Sequence, residues 1–336
     1  MYFLCRHPER WPELLAADKE VILDPDVIPQ RITSNEDCWV VHTYLRLKQL
    51  GEDVHFTTRL PAGKICVVSG LDLAIRDLPL HTFIVACRSD GAFPALGDVV
   101  VQQNEVQAST GNSLYIPHWP QPGLIWRTPD RMNRMEVLCF KGSIVNLHET
   151  FRSESFRREL AALGVTLQVD DLEGAQQLNW HDYRAVDAVL AVRNLTVADA
   201  LTKPASKLVN AWAAGVPALL GPEPAFQQLR QSSLDYFEVV QPRHVLDAIR
   251  ALRAQPELFN SMVVNGHARQ QTFSTEAIGR RWIAALGGPV ADRYRAWRDA
   301  GALQRYWQFF NRGLAHKRSF ADAAYLREHG PRLITG

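Results

Sequence analysis

The chain has 336 residues, 46% of them apolar and 22% charged, with a net charge of +1. That length suits two domains, and the composition is that of an ordinary globular protein. The near-neutral total excludes recruitment of nucleic acid or a membrane by a global field. No apolar run reaches the roughly 18 residues needed to cross a bilayer. Met1-Tyr-Phe-Leu-Cys-Arg-His7 lacks the apolar stretch of a signal peptide. Cys5, Cys38, Cys66, Cys87 and Cys139 are odd in number and include no C-x-x-C pair. That pattern predicts reduced thiols in a cytoplasmic protein, not a disulfide framework. The eleven histidines avoid metal-ligand spacing, so no metal site is expected.

In chain order, residues 19–29 read as a short apolar strand ending in turn residues. Ser34-Asn-Glu36-Asp37 reads as a helix cap, with Ser34 accepting from the Asp37 N–H and the acids favouring the positive end of the helix dipole. The helix carries Trp39, Val40, Thr43, Tyr44, Leu47 and Leu50 at 3.6 spacing and stops at Gly51. A strand follows at 53–57. Apolar runs at 65–69, 82–87, 98–102 and 114–116 predict further strands of a mostly parallel sheet, covered by helices on both faces.

Pro117-His-Trp-Pro-Gln-Pro-Gly123 cannot be helix or central strand, because three prolines remove donors and fix φ. It reads as an ordered linker, with a domain boundary expected at 125/126. A second series then begins. It has a strand at 136–140 and a helix through Phe156, Leu160 and Leu163 that stops at Gly164. Strands at 165–167 and 188–192 follow, then a helix at 206–214, a strand at 216–220 and a last helical stretch at 243–254. The expected fold is α/β, with two Rossmann-like domains, 1–125 and 126–285, facing across a cleft. A helical extension, 286–336, completes the chain.

The segment that carries chemistry runs from Asp187 to Gly221. A buried strand ends at Arg193. After a loop comes Lys203-Pro-Ala-Ser206-Lys207-Leu-Val-Asn210-Ala-Trp-Ala-Ala-Gly215. A helix start beside Ser206, Lys203 and Lys207 offers N–H groups, a favourable dipole and compact positive charges to a diphosphate. Such ligands bind at strand carboxyl ends in open parallel sheets. The bland alternative is an amphipathic helix with solvated lysines, on which Asn210 is a satisfied polar group and Trp212 belongs to the core.

Residues 187–221 resemble the donor-binding motif of GT-B glycosyltransferases, a strand and helix start followed by N/E-A-x-A-x-G-x-P. Phe140-Lys-Gly142-Ser143 adds weaker support. Retaining family-4-like enzymes carry two glutamates eight positions apart here. Thr202 and Asn210 occupy those places, which speaks against that subtype. Ser206-Lys207-Leu-Val-Asn210-Ala is closer to the Glu-Lys-Leu-x-Asn-Ala of fucosyltransferase-like families, where the lysine meets the donor phosphates. Lys207 carries over on that match and Ser206 does not. The resemblance implies transfer of a sugar from a GDP- or UDP-linked donor to a hydroxyl of a glycan or lipid-linked glycan, with no cofactor or metal. Gly142, Ser143, Arg193, Lys203, Ser206, Lys207 and Asn210 would line the donor site. A sugar-nucleotide epimerase or hydrolase on the same fold, and a non-catalytic carbohydrate- or partner-binding protein, are the alternatives.

An inverting transfer needs a base for the acceptor hydroxyl. Glu36, at a helix start, and Asp90, after a strand, are the candidates, although Asp90-Gly91 also suits a turn. Asp37 reads as a dipole-favouring helix-start residue and His118 as a linker or cleft-border residue. Asp24-Pro-Asp26 has the spacing of metal-dependent GT-A transferases, but only 23 residues precede it, too few for the nucleotide-binding unit of that fold. It reads as a turn. Residues 291–318 interleave arginines with aromatics, which suits either a helix bracing the first domain or contact with an anionic membrane.

Overall fold

The structure is a computed structural model that describes residues 1–15, 23–77, 79–108, 111–170 and 179–334. Unit 1 comprises Met1–Trp119 and Thr275–His329, and unit 2 comprises Pro120–Ser274 with the terminal segment from Gly330. The boundary expected at 125/126 thus falls after Trp119. The buried Trp119 indole donates to Thr43 Oγ1 at 2.9 Å, which anchors the start of the proline-rich segment in unit 1. The stretch from 275 to 329 belongs to unit 1 and is not a separate extension from 286.

The strands are β1 (Tyr2–Leu4), β2 (His55–Thr57), β3 (Ile65–Ser69), β4 (Phe83–Arg88), β5 (Val99–Gln102), β6 (Ser113–Tyr115), β7 (Val137–Phe140), β8 (Thr166–Val169), β9 (Ala188–Ala191), β10 (Ala218–Leu220) and β11 (Phe237–Glu238). The helices are α1 (His42–Gln49), α2 (Glu154–Ala162), α3 (Val197–Thr202), α4 (Ser206–Ala214), α5 (Pro224–Gln227), α6 (Pro242–Ala254), α7 (Pro256–Gln270), α8 (Thr275–Ala285), α9 (Ala291–Asp299) and α10 (Ala302–His329).

Unit 1 is a parallel sheet in the order β2-β1-β3-β4-β5-β6. The strand expected at 19–29 is absent from its described part. Leu23–Ile28 form a turn, with Val27 N–H bonded to Asp24 O and Asp26 N–H to Asp24 Oδ1, both at 3.0 Å; residues 16–22 lie outside the described residues. Asp26 then pairs with Arg46 at 2.6 Å, so Asp24-Pro-Asp26 is a turn pinned to α1. The first strand is Tyr2–Leu4. Three residues are too short for a run-length signal, yet Phe3 and Leu4 lie in the core. The Ser34 cap forms as expected: its Oγ accepts from Asp37 N–H at 3.0 Å, and the Asp37 carboxylate accepts from Ser34 N–H at 2.8 Å. A π-helical stretch, Asp37–Val41, leads into α1.

Helices do not alternate with every strand, as the apolar runs had implied. Among the described residues, segments 70–82 and 103–112 hold only short 3-10 turns and 89–98 holds no helix of any kind. Segments of this length are at the lower limit for a helical crossover between parallel strands. The faces are therefore covered by helices from elsewhere. On one side Trp39, Val40 and Leu47 join Ile278, Trp282 and Trp297 against Phe3, Val67, Phe83 and Val99. On the other, Phe309 of α10 packs on Leu4, Cys66, Val68, Ile84 and Ala86.

Unit 2 is a parallel sheet in the order β11-β10-β9-β7-β8. Here helices follow β7, β9, β10 and β11, while residues 179–187 before β9 hold none. The span read for α4 is the observed one, for local reasons. Pro204 holds Lys203 extended (ψ 142°), which blocks helix upstream, and Gly215 ends the helix at φ +73°. The helix α7 was not expected beyond 254; Pro256 opens it at N1. It packs on α4 through Gly266, where a Cβ would lie 2.9 Å from Trp212 Cδ1 and 3.2 Å from its Cα. Among the described residues no helix is long and apolar enough to cross a membrane.

A branched side chain at Gly266 must part the two helices. Gly266→Val gains helix propensity by a few tenths of a kcal/mol, whereas overpacking costs up to about 3 kcal/mol. The unfolding midpoint is expected to drop by roughly 6–12 °C. An unchanged midpoint in a thermal melt would show that α4 and α7 separate freely.

Candidate functional site

In each sheet the strand order reverses once, between β7 and β9 in unit 2 and between β1 and β3 in unit 1. Sheets of this order bind ligands at that switch point, outside the strand carboxyl ends. In unit 2 the two loops that flank it are tied together. His148 N–H donates to Val192 O at 2.8 Å and Asn194 N–H to Asn146 O at 3.1 Å.

The residues expected to bind a donor gather at this end. Gly142 follows β7 at φ +155°, and a Cβ there would lie 3.4 Å from the Phe140 ring and 3.5 Å from Lys207 Nζ. The Lys207 ammonium donates to Lys141 O at 2.5 Å and sits 5.3 Å from the Phe140 ring centroid. The first turn of α4 is thereby fastened to the end of β7. Ser206 opens α4 without capping it: the N-cap is Ala205, which has no side-chain acceptor. Lys203 closes α3 in extended conformation. Ser143 precedes the 3-10 turn Ile144–Asn146. Asn210 is buried, and its Oδ1 accepts from Gln121 N–H at 3.1 Å, so it secures the incoming chain.

Arg193 also stands at the switch point, but its charge is matched within the protein. Its Nε donates to Glu223 Oε1 at 2.9 Å and its second nitrogen to Oε2. Glu223 is fully buried at the end of β10. It was not among the residues expected at the site. An acid just past a buried strand, held between Pro222 and Pro224 at a helix start, was the available signal.

In unit 1 a cavity of about 290 Å³ opens at the switch point, bordered by His7 and Arg10 after β1, Ser34–Glu36 at the helix start, and Leu71 and Asp72 after β3. Glu36, expected as a base, is 3% exposed and heavily engaged. Its carboxylate accepts from the Arg6 N–H, from His7 N–H at 3.2 Å, from His7 Nδ1 at 2.9 Å and from the Cys5 thiol at 3.5 Å. Burial, and then Glu36, push the Cys5 thiol up to about 12, so it stays protonated and donates. The group that Glu36 presents to the cavity is the His7 ring, which is half exposed. A carboxylate only accepts, so Nδ1 carries hydrogen and the neutral ring leaves Nε2 as its basic nitrogen. The hydrogen bond to Glu36, with added charge from Glu36 and Asp72, raises the His7 pKa despite some desolvation.

Asp37 is fully buried and structural, accepting from Trp11 Nε1 at 3.0 Å and pairing with Arg10 at 2.6 Å. Asp90 follows β4, one strand beyond the cavity, and accepts from Gln103 Nε2 at 2.9 Å. His118 packs edge-on against Trp39 with Nδ1 2.9 Å from Trp119 O, and burial lowers its pKa. The structure thus brings Glu36 together with His7 and leaves Asp90 out of that cavity. His7 was legible only as a polar residue just past a short apolar run.

Removing one partner of a buried ion pair costs about 3–5 kcal/mol. Glu223→Ala is expected to lower the urea unfolding free energy by that amount. Glu223→Gln, which keeps an acceptor for Arg193, should lose less. Small, equal losses would mean that water serves Arg193 as well as Glu223 does.

No protein-family model matches the chain, and no curated protein matches it in sequence. Among solved structures, HepE from Anabaena, determined with UDP, is 12% identical with TM-score 0.50 over 85% of this chain and 98% of that one. A TarM variant from S. aureus, determined with fondaparinux, α-GlcNAc-glycerol and UDP, is 8% identical with TM-score 0.50 over 74% of this chain and 60% of that one. At these identities the likeness is one of fold: the α/β architecture with two Rossmann-like sheets that the resemblance to GT-B glycosyltransferases implies.

Proposed function

We propose that the chain is a glycosyltransferase, moving a sugar from a nucleoside diphosphate donor to a hydroxyl of a glycan or lipid-linked glycan. The observation that carries the reading is the Lys207 ammonium beside the Gly142 backbone at the β7/β9 switch point. There the dipole and N–H groups at the start of α4 favour an anion. On this reading Lys203 and Lys207 take the charge of the leaving diphosphate, so no metal is needed, and the Arg193–Glu223 pair gives the site its rigid edge. HepE and TarM were determined with UDP, which favours a uridine donor over a guanosine one. We assign the donor to unit 2 and deprotonation of the acceptor to unit 1. His7 Nε2 is the group we assign as base for the acceptor hydroxyl proton. Glu36 holds the His7 ring. We place the protein in the cytosol, where its five free thiols stay reduced.

Binding of UDP should be visible without metal. At about 100 times its dissociation constant a ligand adds about 2.7 kcal/mol, a midpoint rise of roughly 5–10 °C. Lys207→Ala should weaken UDP binding by about 1.5–3 kcal/mol, the scale of a hydrogen bond to a charged group. EDTA should change neither result. A melt that no nucleoside diphosphate or sugar nucleotide shifts would leave a binding module without nucleotide affinity. Hydrolysis or isomerisation of the donor without acceptor would favour the epimerase or hydrolase reading.

The pH profile tests the base. His7→Ala is expected to lower kcat by about 10²–10⁴-fold while leaving the UDP shift intact. The neutral ring is the active form, so kcat/KM should rise with pH through a pKa above the ordinary 6.5 of histidine. Glu36→Gln removes the charge that raises this pKa, and the acid limb should move to lower pH. An unmoved limb assigns the proton to another group.

A further inference from the structure

Helix α10 is apolar on two sides. Inward, Phe309 joins the core, Arg312 pairs with Asp98, a Cβ at Gly313 would lie 3.8 Å from Ile75 Cδ1 and His316 is buried. Outward, Leu303, Trp307, Phe310 and Leu314 recur at helical spacing, flanked by Tyr306, with exposures from 44 to 79%. A helix packed on one face ordinarily presents polar residues on the other, and an apolar patch left in the open marks an interaction surface.

The chemistry of this face is specific. Residues 300–321 contain no Asp or Glu and, besides the inward Arg312, carry Arg305, Lys317 and Arg318; α9 adds Arg298, while its Arg295 pairs with Asp292. Trp and Tyr among aliphatic residues with a basic rim is the composition of helices that lie in the headgroup region. A recess of about 320 Å³, lined by Leu80, His81, Ala302, Leu303, Arg305 and Tyr306, opens beside the start of the stripe. Its wall is largely apolar, with Arg305 at hand for a lipid phosphate.

We propose that the outward face of α10 docks unit 1 on an anionic bilayer. The helix lies on the surface, since it is not apolar enough to span. This inference is independent of the sugar-transfer reading, and either can fail alone. The test is flotation of the full chain with vesicles of phosphatidylcholine, with and without 30% phosphatidylglycerol. Binding is expected on the anionic vesicles, at least tenfold weaker on the neutral ones and weaker as salt rises. Trp307→Glu with Phe310→Glu should reduce it at least tenfold while the unfolding midpoint and UDP shift stay unchanged. No flotation, or equal binding to both vesicle types, overturns the proposal. So does sedimentation showing a dimer that the double variant abolishes, because the face would then belong to a second copy.

Discussion

Six parallel strands present two apolar faces, and the three connections that carry unit 1 from β3 to β6 hold no α-helix among the described residues. Nearly everything else in that unit answers this constraint. Among the described residues only the β1–β2 crossover supplies a helix to the sheet, through Trp39, Val40 and Leu47; α8 and α9 complete that side and α10 covers part of the other. The long final helix, the indole of Trp282 against the sheet and the return of the chain at Thr275 all serve that cover. Short connections also leave the carboxyl end of the sheet lightly roofed. The loop after β3 brings Leu71 and Asp72 directly to the cavity that holds His7.

The two switch points share a geometry and differ in electrostatics. In unit 2 a lysine at a helix start is bonded to the end of β7, and the nearby arginine is balanced by Glu223. In unit 1 two carboxylates, Glu36 and Asp37, are buried at a helix start and filled by N–H donors. One end suits an anion. The other holds a histidine in a fixed tautomer, which suits a proton. A single folding pattern thereby carries two different electrostatic settings, made by a few side chains at strand ends.

Much of this was legible in the residues, and the failures have physical causes. The span of α4 follows from Pro204 and Gly215, and the strands from 65 to 115 from unbroken apolar runs, because these signals act within a few residues. Tyr2–Leu4 could not be read as the strand beside the switch point. Three residues give no period, and their place follows only from pairing with His55–Thr57 and Cys66–Val67. Helix α7 escaped because glycine and polar residues dilute its apolar face, and its contact with Trp212 needs closeness rather than hydrophobicity. The site showed the same limit. Lys207 could be singled out within a short segment and Gly142 through the resemblance, whereas Glu223 with Arg193 and His7 with Glu36 are pairings across about 30 residues that only the fold creates.

Unit 1 is discontinuous, and that shapes its birth on the ribosome. The six strands leave the tunnel before any of the helices α8–α10 that cover them has been made, and all of Pro120–Ser274 is translated in between. At about 10 residues per second that interval lasts roughly 15 s, far longer than the ~10–100 μs that a chain of this size needs to collapse. Unit 2 is nearly contiguous and is made within that window. The nascent strands meanwhile carry uncovered apolar faces and open edges, the features that recruit chaperones and favour aggregation. The order of synthesis is thus the reverse of the order of completion: the first part made is the last to close.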